Sequence, residues 1–215
     1  MPAAPRQRKA PPRLETAGRI LAAAEESFAA HGLAGARTER IAAHAGVNKA
    51  MLYYYFGSKQ NLYRAVLRHL LDQLGHMAAP GQPAPASPRE RLVAFVEGYF
   101  DFLASHPNYL RLIQREVMES KGEIDWIMRE YYRPLLDRLI GLIESGIRRG
   151  ELRRVDPQQA AFSIMGTTAS YFAAATIWSR YFGRPLLGPA ALETRREALL
   201  DFVGYGLFRP ARRPS

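Results

Sequence analysis

TERIAAHAGVNKAMLYYYFGSKQNL, residues 38–62, is the stretch of the 215-residue sequence that decides the fold. Its apolar residues recur at helical spacing on both sides of Gly46, where a residue without a side chain can adopt a positive φ. Gly57 is expected to end the second short helix, and Ser58 precedes another apolar run. Two short helices joined by a tight turn, with polar and aromatic residues at the start of the second, are typical of a helix-turn-helix unit.

Capping residues and glycines predict where the helices of this N-terminal part begin and end. Thr38, Asn48 and Ser58 are expected to be N-caps, because their side-chain oxygens can accept hydrogen bonds from N–H groups in a first helical turn. Gly32 suits the end of the longer helix that comes first. The predicted helices of this part are 13–31, 39–45, 49–55 and 59–76.

The net charge of +10 favours a polyanionic partner, either nucleic acid or an anionic membrane surface. Residues 1–79 hold eleven Lys and Arg against five Asp and Glu, so the anion-binding face is expected in the N-terminal part. The Pro- and Arg-rich residues 1–12 predict a disordered basic arm. This arm is either a solvated tail or a segment that follows DNA phosphates, and both interpretations stay open.

A Pro- and Ala-rich loop over residues 77–88 predicts the boundary to a second helical part. The segments Ser87–Glu90 and Asp156–Gln159 each match a capping box with Pro at the first helical position. Pro134 lies inside a long helical pattern and predicts a kink or a restart. No stretch alternates apolar and polar residues as a strand would. The predicted helices of this part are 89–105, 108–119, 123–149, 157–181 and 189–207.

The composition excludes several classes of site. Without cysteine the chain has no disulfide, thiol nucleophile or Cys-ligated zinc, which fits a reducing compartment, and we expect a cytoplasmic protein. It has no His-x-x-x-His pair and no Gly-x-Ser-x-Gly motif, so we expect no enzyme activity, no metal and no cofactor. Residues 161–179 carry no charge but contain many Ser, Thr and Gly, which favours a buried interface helix over a membrane span.

The start of the 49–55 helix carries side chains that suit the major groove of DNA. Lys49 can donate to guanine O6 and N7, and Ala50 can pack on a thymine methyl group. Tyr53 and Tyr54 can reach phosphates through their hydroxyls, as can Lys59 with its ammonium group. Taken singly, each side chain is better explained as a solvated or core residue, but together they favour a DNA-binding face. The predicted DNA contacts are Thr38, Asn48, Lys49, Ala50, Tyr53, Tyr54 and Lys59.

The segment GVNKAMLYYYFGSKQNLY resembles the helix-turn-helix signature of the TetR family of transcriptional regulators. The resemblance rests on Gly46-Val47, on the run Leu52–Phe56 and on Lys59, whereas Tyr55 stands where many members have His and Asn61 where an acidic residue is frequent. It implies that phosphates are held by Thr38, Tyr53, Tyr54 and Lys59, and that bases are read by Asn48, Lys49 and Ala50.

The same resemblance implies an all-α homodimer, and the helices predicted from the sequence number about nine. A three-helix DNA-binding domain would precede a larger helical domain that binds an effector and dimerises. The predicted segments are a basic arm 1–12, a DNA-binding domain 13–76, a loop 77–88, an effector and dimerisation domain 89–208 and a tail 209–215.

The effector pocket is expected among the helices that follow the loop, where aromatic and soft side chains are frequent. Arg111 and Arg115 either pair with Glu116 and Glu119 or point inward to bind an anionic ligand. The small-residue face of helix 157–181 is the predicted dimer interface. The pocket candidates are Tyr99, Phe102, Arg111, Arg115, Met118, Trp126, Tyr131, Phe162, Met165, Tyr171, Phe172 and Trp178.

These features predict a sequence-specific DNA-binding regulator, a ligand-responsive repressor that binds a palindromic operator as a homodimer. Its expected partners are double-stranded operator DNA, a second copy of the chain and an unidentified small-molecule effector, with no membrane. The alternative is a basic helical protein that binds a partner or an anionic membrane without reading DNA. Salt dependence separates the two, because purely electrostatic binding ignores base sequence and is lost as salt rises.

Overall fold

The computed structural model describes residues 12–78, 87–119 and 123–209, which are all-α apart from one isolated β-bridge between Leu152 and Phe208. The predicted all-α fold is confirmed. The chain forms two compact units, one extending to His69 and the other beginning at Leu70. The predicted arm up to residue 11, the loop residues 79–86 and the tail from residue 210 lie outside the described residues.

The core of the first unit includes two aromatic rings that pack edge to face. The ring centroids of Phe28 and Tyr63 are 4.9 Å apart, and both side chains are buried. Gly32 has a φ of +66° and interrupts the first helix where its end was predicted. The helices of this unit are α1 (Pro12–Gly35), α2 (Thr38–His44), α3 (Lys49–Phe56) and the first part of α4 (Lys59–Ala78).

Two of the three predicted N-caps in this unit are confirmed. Asn48 Oδ1 accepts a hydrogen bond from the N–H of Met51 at 2.8 Å, and Ser58 Oγ accepts one from Asn61 at 3.1 Å. The prediction that Thr38 caps α2 is wrong, because Arg37 occupies the cap position and makes no side-chain cap. Thr38 is instead the first residue of α2, and its hydroxyl lies inside, near α3.

The second unit contains more helices than predicted. Two of the predicted helices are each divided, the first by a π-helical segment, Met128–Tyr132, directly before the restart that Pro134 indicated. In its core, α5 packs against α8, α9 and α11. The helices of this unit beyond α4 are α5 (Pro88–Ser105), α6 (Tyr109–Glu119), α7 (Glu123–Ile127), α8 (Arg133–Arg148), α9 (Pro157–Ala173), α10 (Ala175–Phe182) and α11 (Pro189–Leu207).

The prediction of one continuous helix over residues 157–181 is wrong. The helix breaks at Ala174, and α9 and α10 are bent by 63° relative to each other. Alanine is the best helix former, so the break has a tertiary cause. The loop after α10 folds back, and Leu186 accepts a hydrogen bond from the Tyr171 hydroxyl at 2.6 Å and donates one to Ser179 Oγ at 3.1 Å.

Within the described residues, no single helix has both the length and the apolar composition needed to cross a bilayer. Only α9 and α10 taken together meet those two criteria, and the bend lies between them. The N-cap residues of α5 and α9 are as predicted, but of these two helices only α5 forms the reciprocal capping box. Ser87 and Glu90 form a reciprocal capping box, and Asp156 accepts hydrogen bonds from the N–H groups of Gln158 and Gln159.

Candidate nucleic-acid interface and effector cavity

The first turn of α3 is presented to solvent by the turn that precedes it. Gly46 has a φ of +66°, and the N–H of Val47 donates to the carbonyl of Ala42 at 3.0 Å, which closes the turn after α2. Because Asn48 caps the helix, the side chains of Lys49 and Ala50 stand at its exposed start. The cap occupies Asn48 Oδ1 and leaves its amide nitrogen as a donor.

Lys49 is paired with Glu39, a residue that sequence reasoning missed. The Lys49 ammonium donates to Glu39 Oε1 at 2.5 Å, and both side chains are at least half exposed. This hydrogen bond lowers the pKa of the Glu39 carboxyl and raises the pKa of Lys49. A sequence signal existed, because Glu39 is the only acidic residue between Glu26 and Asp72.

The hydroxyl of Tyr53 lies next to the paired residues. Tyr53 Oη is 3.4 Å from Thr38 Oγ1, and the Lys49 ammonium is 5.8 Å from the centroid of the Tyr53 ring. Thr38 is only 6% exposed, so the structure places its side chain behind Tyr53 rather than at the surface. Thr38, Glu39, Lys49 and Tyr53 therefore form one connected polar cluster across α2 and α3.

The remaining predicted contacts border this cluster. Tyr54 is 67% exposed, and its ring meets the ring of Tyr55 edge to face at 5.4 Å. Lys59 is half-buried and donates to the carbonyl of Ala34 at 3.2 Å, so it ties the start of α4 to the end of α1. We call the seven predicted residues together with Glu39 the α3 face. The face combines ammonium, amide and hydroxyl donors with one carboxylate acceptor, which is the chemistry of major-groove readout.

The second unit holds a cavity of about 180 Å³ at the α9–α10 bend. Of the predicted pocket residues, the structure brings together Arg111 and Phe172 here. The cavity is lined by Leu103, Ala104, His106, Pro107, Leu110, Arg111, Gln114, Phe172, Ala173, Ala175, Thr176, Leu187 and Leu192.

The structure places three predicted pocket residues on the surface, which corrects their assignment as pocket lining. Met118 is 82% exposed, Phe162 72% and Trp178 46%. An amphipathic helix shows in its sequence which residues share a face, but not whether that face meets the core or a second molecule. None of the three lines either of the two cavities described for this unit.

The other predicted pocket residues mostly belong to the packed interior or to hydrogen-bonded bridges. Tyr99 and Phe102 are buried, and the Tyr131 hydroxyl donates to Asp72 Oδ1 at 2.8 Å. Tyr171 donates to Leu186, as described for the bend. Half-buried positions are occupied by Arg115, Trp126 and Met165.

Two further tyrosines, missed in the sequence, form a hydroxyl pair in which Tyr109 is buried and Tyr132 half-buried, with a third tyrosine nearby. The hydroxyls of Tyr109 and Tyr132 are 2.5 Å apart, where the π-helical segment presents Tyr132 to the start of α6. Burial raises the pKa of Tyr109, Tyr132 and Tyr99 above the ordinary tyrosine value. Among the described residues there is no group of acidic or histidine side chains arranged to hold a metal ion.

Exposed aromatic side chains are frequent on α9, α10 and α11. A groove of about 300 Å³ lies between α9 and α11 and is lined by Ile164, Phe202 and Val203, among others. Tyr205 is 84% exposed. Large exposed apolar patches mark surfaces that bind other molecules. We call the large apolar side chains exposed on these three helices, aromatic apart from Ile177, the aromatic face; its other members are Phe162, Ile177, Trp178, Tyr181 and Phe182.

Comparison with known proteins gives matches for both units. Residues 20–66 match the model for bacterial regulatory proteins of the tetR family, and residues 88–203 match the tetracyclin repressor-like C-terminal domain. The HTH-type transcriptional regulator RutR of Escherichia coli K12 is 32% identical over 153 residues, 71% of each chain. The HTH-type transcriptional repressor SCO4008 of Streptomyces coelicolor is 38% identical over 104 residues, 48% of this chain and 50% of its own.

Among solved structures, the ketosteroid transcriptional regulator KstR2 of Mycobacterium tuberculosis has a TM-score of 0.75. The two share 24% sequence identity, and the match covers 90% of this chain and 95% of the other. At that identity the likeness concerns the fold alone.

Proposed function

Because the chain belongs to the TetR family of DNA-binding transcriptional regulators, we propose that it is a repressor that binds a palindromic operator as a homodimer and responds to a small molecule. The observation that carries this proposal is the α3 face, where the ammonium of Lys49 stands at the exposed start of a capped helix and the phenol of Tyr53 lies one turn further on. We also propose that it acts in the cytoplasm, where its DNA target is.

In this proposal the α3 face divides its work between bases and phosphates. Lys49 donates to guanine, and Asn48 uses the amide nitrogen that its cap leaves available. Tyr53 and Tyr54 donate their hydroxyls to phosphate oxygens on either side. Thr38 fixes the Tyr53 hydroxyl from behind, and Glu39 holds Lys49 in place until DNA is bound.

The exposed aromatic face supports a homodimer. One base-reading helix buries few base contacts, so specificity depends on two readers at a fixed spacing. The face formed by α9, α10 and α11 carries the largest set of exposed aromatic side chains among the described residues. A two-fold axis would lay this face against its own copy, and the groove between α9 and α11 would receive a partner side chain.

The cavity at the α9–α10 bend is the proposed effector site. A bound molecule can shift the equilibrium only if it prefers one helix arrangement over another. The cavity lies where two helices meet at a 63° bend, so its occupancy acts on the angle between α9 and α10. Both helices belong to the proposed dimer face, so a change in this angle would alter the distance between the two base-reading helices of the dimer.

A gel-shift titration on the DNA next to the coding sequence of the protein tests the proposed function. We expect retardation of this duplex at concentrations at least about tenfold below those needed for a scrambled duplex, and retention of this preference as salt is raised. Equal binding to both duplexes, lost at moderate salt, would instead support the basic partner- or membrane-binding alternative.

A charge-matched pair of variants assigns the binding to the α3 face. Lys49→Gln and Arg154→Gln each remove one positive charge from an exposed position, the first on α3 and the second in the loop before α9. Only Lys49→Gln should reduce the preference for the cognate duplex. Similar effects of the two variants would show that net charge, rather than the α3 face, determines binding.

A further inference from the structure

The cavity at the α9–α10 bend contains three polar side chains with unused hydrogen-bonding capacity. Within the part of the chain that the structure describes, the side chains of Arg111, Gln114 and Thr176 make no hydrogen bond or ion pair. His106 also lines the cavity, but its ring nitrogens contact the carbonyl of Phe102 at 2.8 Å and Gln73 Oε1 at 2.9 Å. The cavity therefore offers one guanidinium, one amide and one hydroxyl to a ligand.

The charge of the lining residues indicates the sign of the charge on that ligand. Arg111 is the one fully charged lining residue, and no Asp or Glu is among the residues that surround the cavity. A cationic ligand would meet an uncompensated guanidinium, whereas an anion would be paired. Arg111 is exposed, so the charged group of the ligand would sit at the mouth and keep part of its hydration.

The rest of the lining selects the body of the ligand. Leu110, Phe172 and Leu192 contribute apolar surface from three different helices. A cavity of about 180 Å³ is smaller than the roughly 300–1,000 Å³ of pockets that bind drug-sized molecules, which limits the ligand to a short body. A phosphate or sulfate ion alone would leave this apolar surface unfilled.

We propose that the cavity binds a small organic monocarboxylate. The carboxylate accepts hydrogen bonds from the Arg111 guanidinium at the mouth, with Gln114 and Thr176 as further polar contacts. The short apolar chain lies between Phe172, Leu110 and Leu192. Only the role of this ligand as the effector rests on the proposed function. Binding of the ligand itself can be measured without DNA.

The test is isothermal titration calorimetry of the full chain with hexanoate and with its neutral counterpart hexanamide. We expect hexanoate to bind at least about tenfold more tightly than hexanamide, since hydrogen bonds to a charged group are the stronger kind. Equal affinity for the two ligands would overturn the proposal. So would the absence of heat from either ligand at tens of millimolar, a concentration high enough to detect binding with a Kd of about 1 mM.

Three variants locate the binding. Arg111→Gln should lower the affinity for hexanoate by about tenfold or more and leave hexanamide unchanged, while Arg111→Lys should retain part of the preference. Arg133→Gln, which removes a positive charge from an exposed position on α8 outside the cavity, should bind as the unaltered chain does. Unchanged hexanoate affinity in Arg111→Gln, with circular dichroism confirming its fold, would refute the site.

The same preparations separate this inference from the proposed function. Operator binding without hexanoate binding would contradict only the ligand class. Hexanoate binding without any preference for operator DNA would contradict the proposed regulator and leave the monocarboxylate site standing. When both occur, hexanoate should release the operator from the unaltered chain and not from Arg111→Gln, and release from both would count against the cavity as the effector site.

Discussion

The cap of α3 allows a prediction that separates the stability of the reading helix from its contacts to DNA. In Asn48→Ala the N–H of Met51 loses its acceptor at 2.8 Å, at the start of a helix of only eight residues. Loss of an N-cap costs about 1 kcal/mol, within a range of about 0.5–2. Asn48→Ser is the matched control, because serine caps as well as asparagine but lacks the amide nitrogen.

Hydrogen exchange of the full chain, followed by mass spectrometry, measures this cost where it arises. When amides exchange through local opening, a loss of about 1 kcal/mol accelerates exchange about fivefold. We expect this acceleration in peptides covering Lys49–Phe56 of Asn48→Ala, none in Asn48→Ser, and none in α11 of either variant. Equal exchange rates in all three proteins would refute the capping role of Asn48.

DNA binding of the same variants then tests the amide as a base contact. Asn48→Ser keeps the helix, so any loss of sequence preference in this variant belongs to the missing amide nitrogen. If Asn48→Ser binds the cognate duplex as the unaltered chain does, Asn48 acts only as a cap. The two outcomes are distinct because the exchange data report the helix independently.

Three further predictions concern DNA affinity, the buried tyrosines and α8. Lys49→Ala should reduce the free energy of binding to the cognate duplex by about 1–3 kcal/mol and relax specificity at one base pair. Lys59→Ala should instead weaken binding to all sequences and reduce the slope of its salt dependence by about 1. Equal losses on cognate and scrambled DNA for Lys49→Ala would count against base reading. Tyr132→Phe should lower the free energy of unfolding by about 1–3 kcal/mol, because the buried Tyr109 hydroxyl loses its partner. In urea unfolding, the double variant with Tyr109→Phe should lose less stability than the sum of the two single variants. Because the pKa values of both tyrosines are raised in the folded chain, the unfolded chain releases these protons at lower pH. The free energy of unfolding should therefore fall as pH rises above about 10, and it should fall less in the double variant. Gly146→Ala should destabilise by about 1–3 kcal/mol, because its new Cβ would overlap Leu152, whereas Gly141→Ala on the same helix meets nothing within 4 Å and should be neutral or stabilising.

Local chemistry made much of the fold predictable from the sequence. Asn48, Ser87 and Asp156 act within three residues along the chain, so their caps could be predicted without knowledge of packing. Gly46 follows the same logic, because a positive φ is a property of a single residue. Thr38 is not the cap because α2 begins one residue earlier than predicted, and its hydroxyl lies instead near Tyr53, fifteen residues away on α3.

The break between α9 and α10 was not predictable for the opposite reason. It falls in a run of alanines with high helix propensity, and the hydrogen bonds of Tyr171 and Ser179 to Leu186 come from residues up to fifteen positions apart. The π-helical segment before Arg133 was indicated only in part, since Pro134 predicts an interruption but not its form.

The candidate sites show the same division. The α3 face could be predicted because its residues are close together in sequence, but the pairing of Lys49 with Glu39 depends on how the turn brings α2 to α3. For the cavity, Arg111 and Phe172 were among twelve residues chosen by type alone. Met118, Phe162 and Trp178 are side chains of the same apolar type but are exposed, because tertiary packing determines which face of a helix is buried.

Selection of bound duplexes from a pool of random DNA tests the central claim most directly, namely that the α3 face of a dimer reads a specific sequence. We predict enrichment of a palindrome whose half-site centres are about one helical turn, or a multiple of it, apart. With Lys49→Ala, the preference at one base pair in each half-site should disappear while the remainder of the palindrome persists. Recovery of no common motif, or of an unchanged motif with Lys49→Ala, would contradict this account.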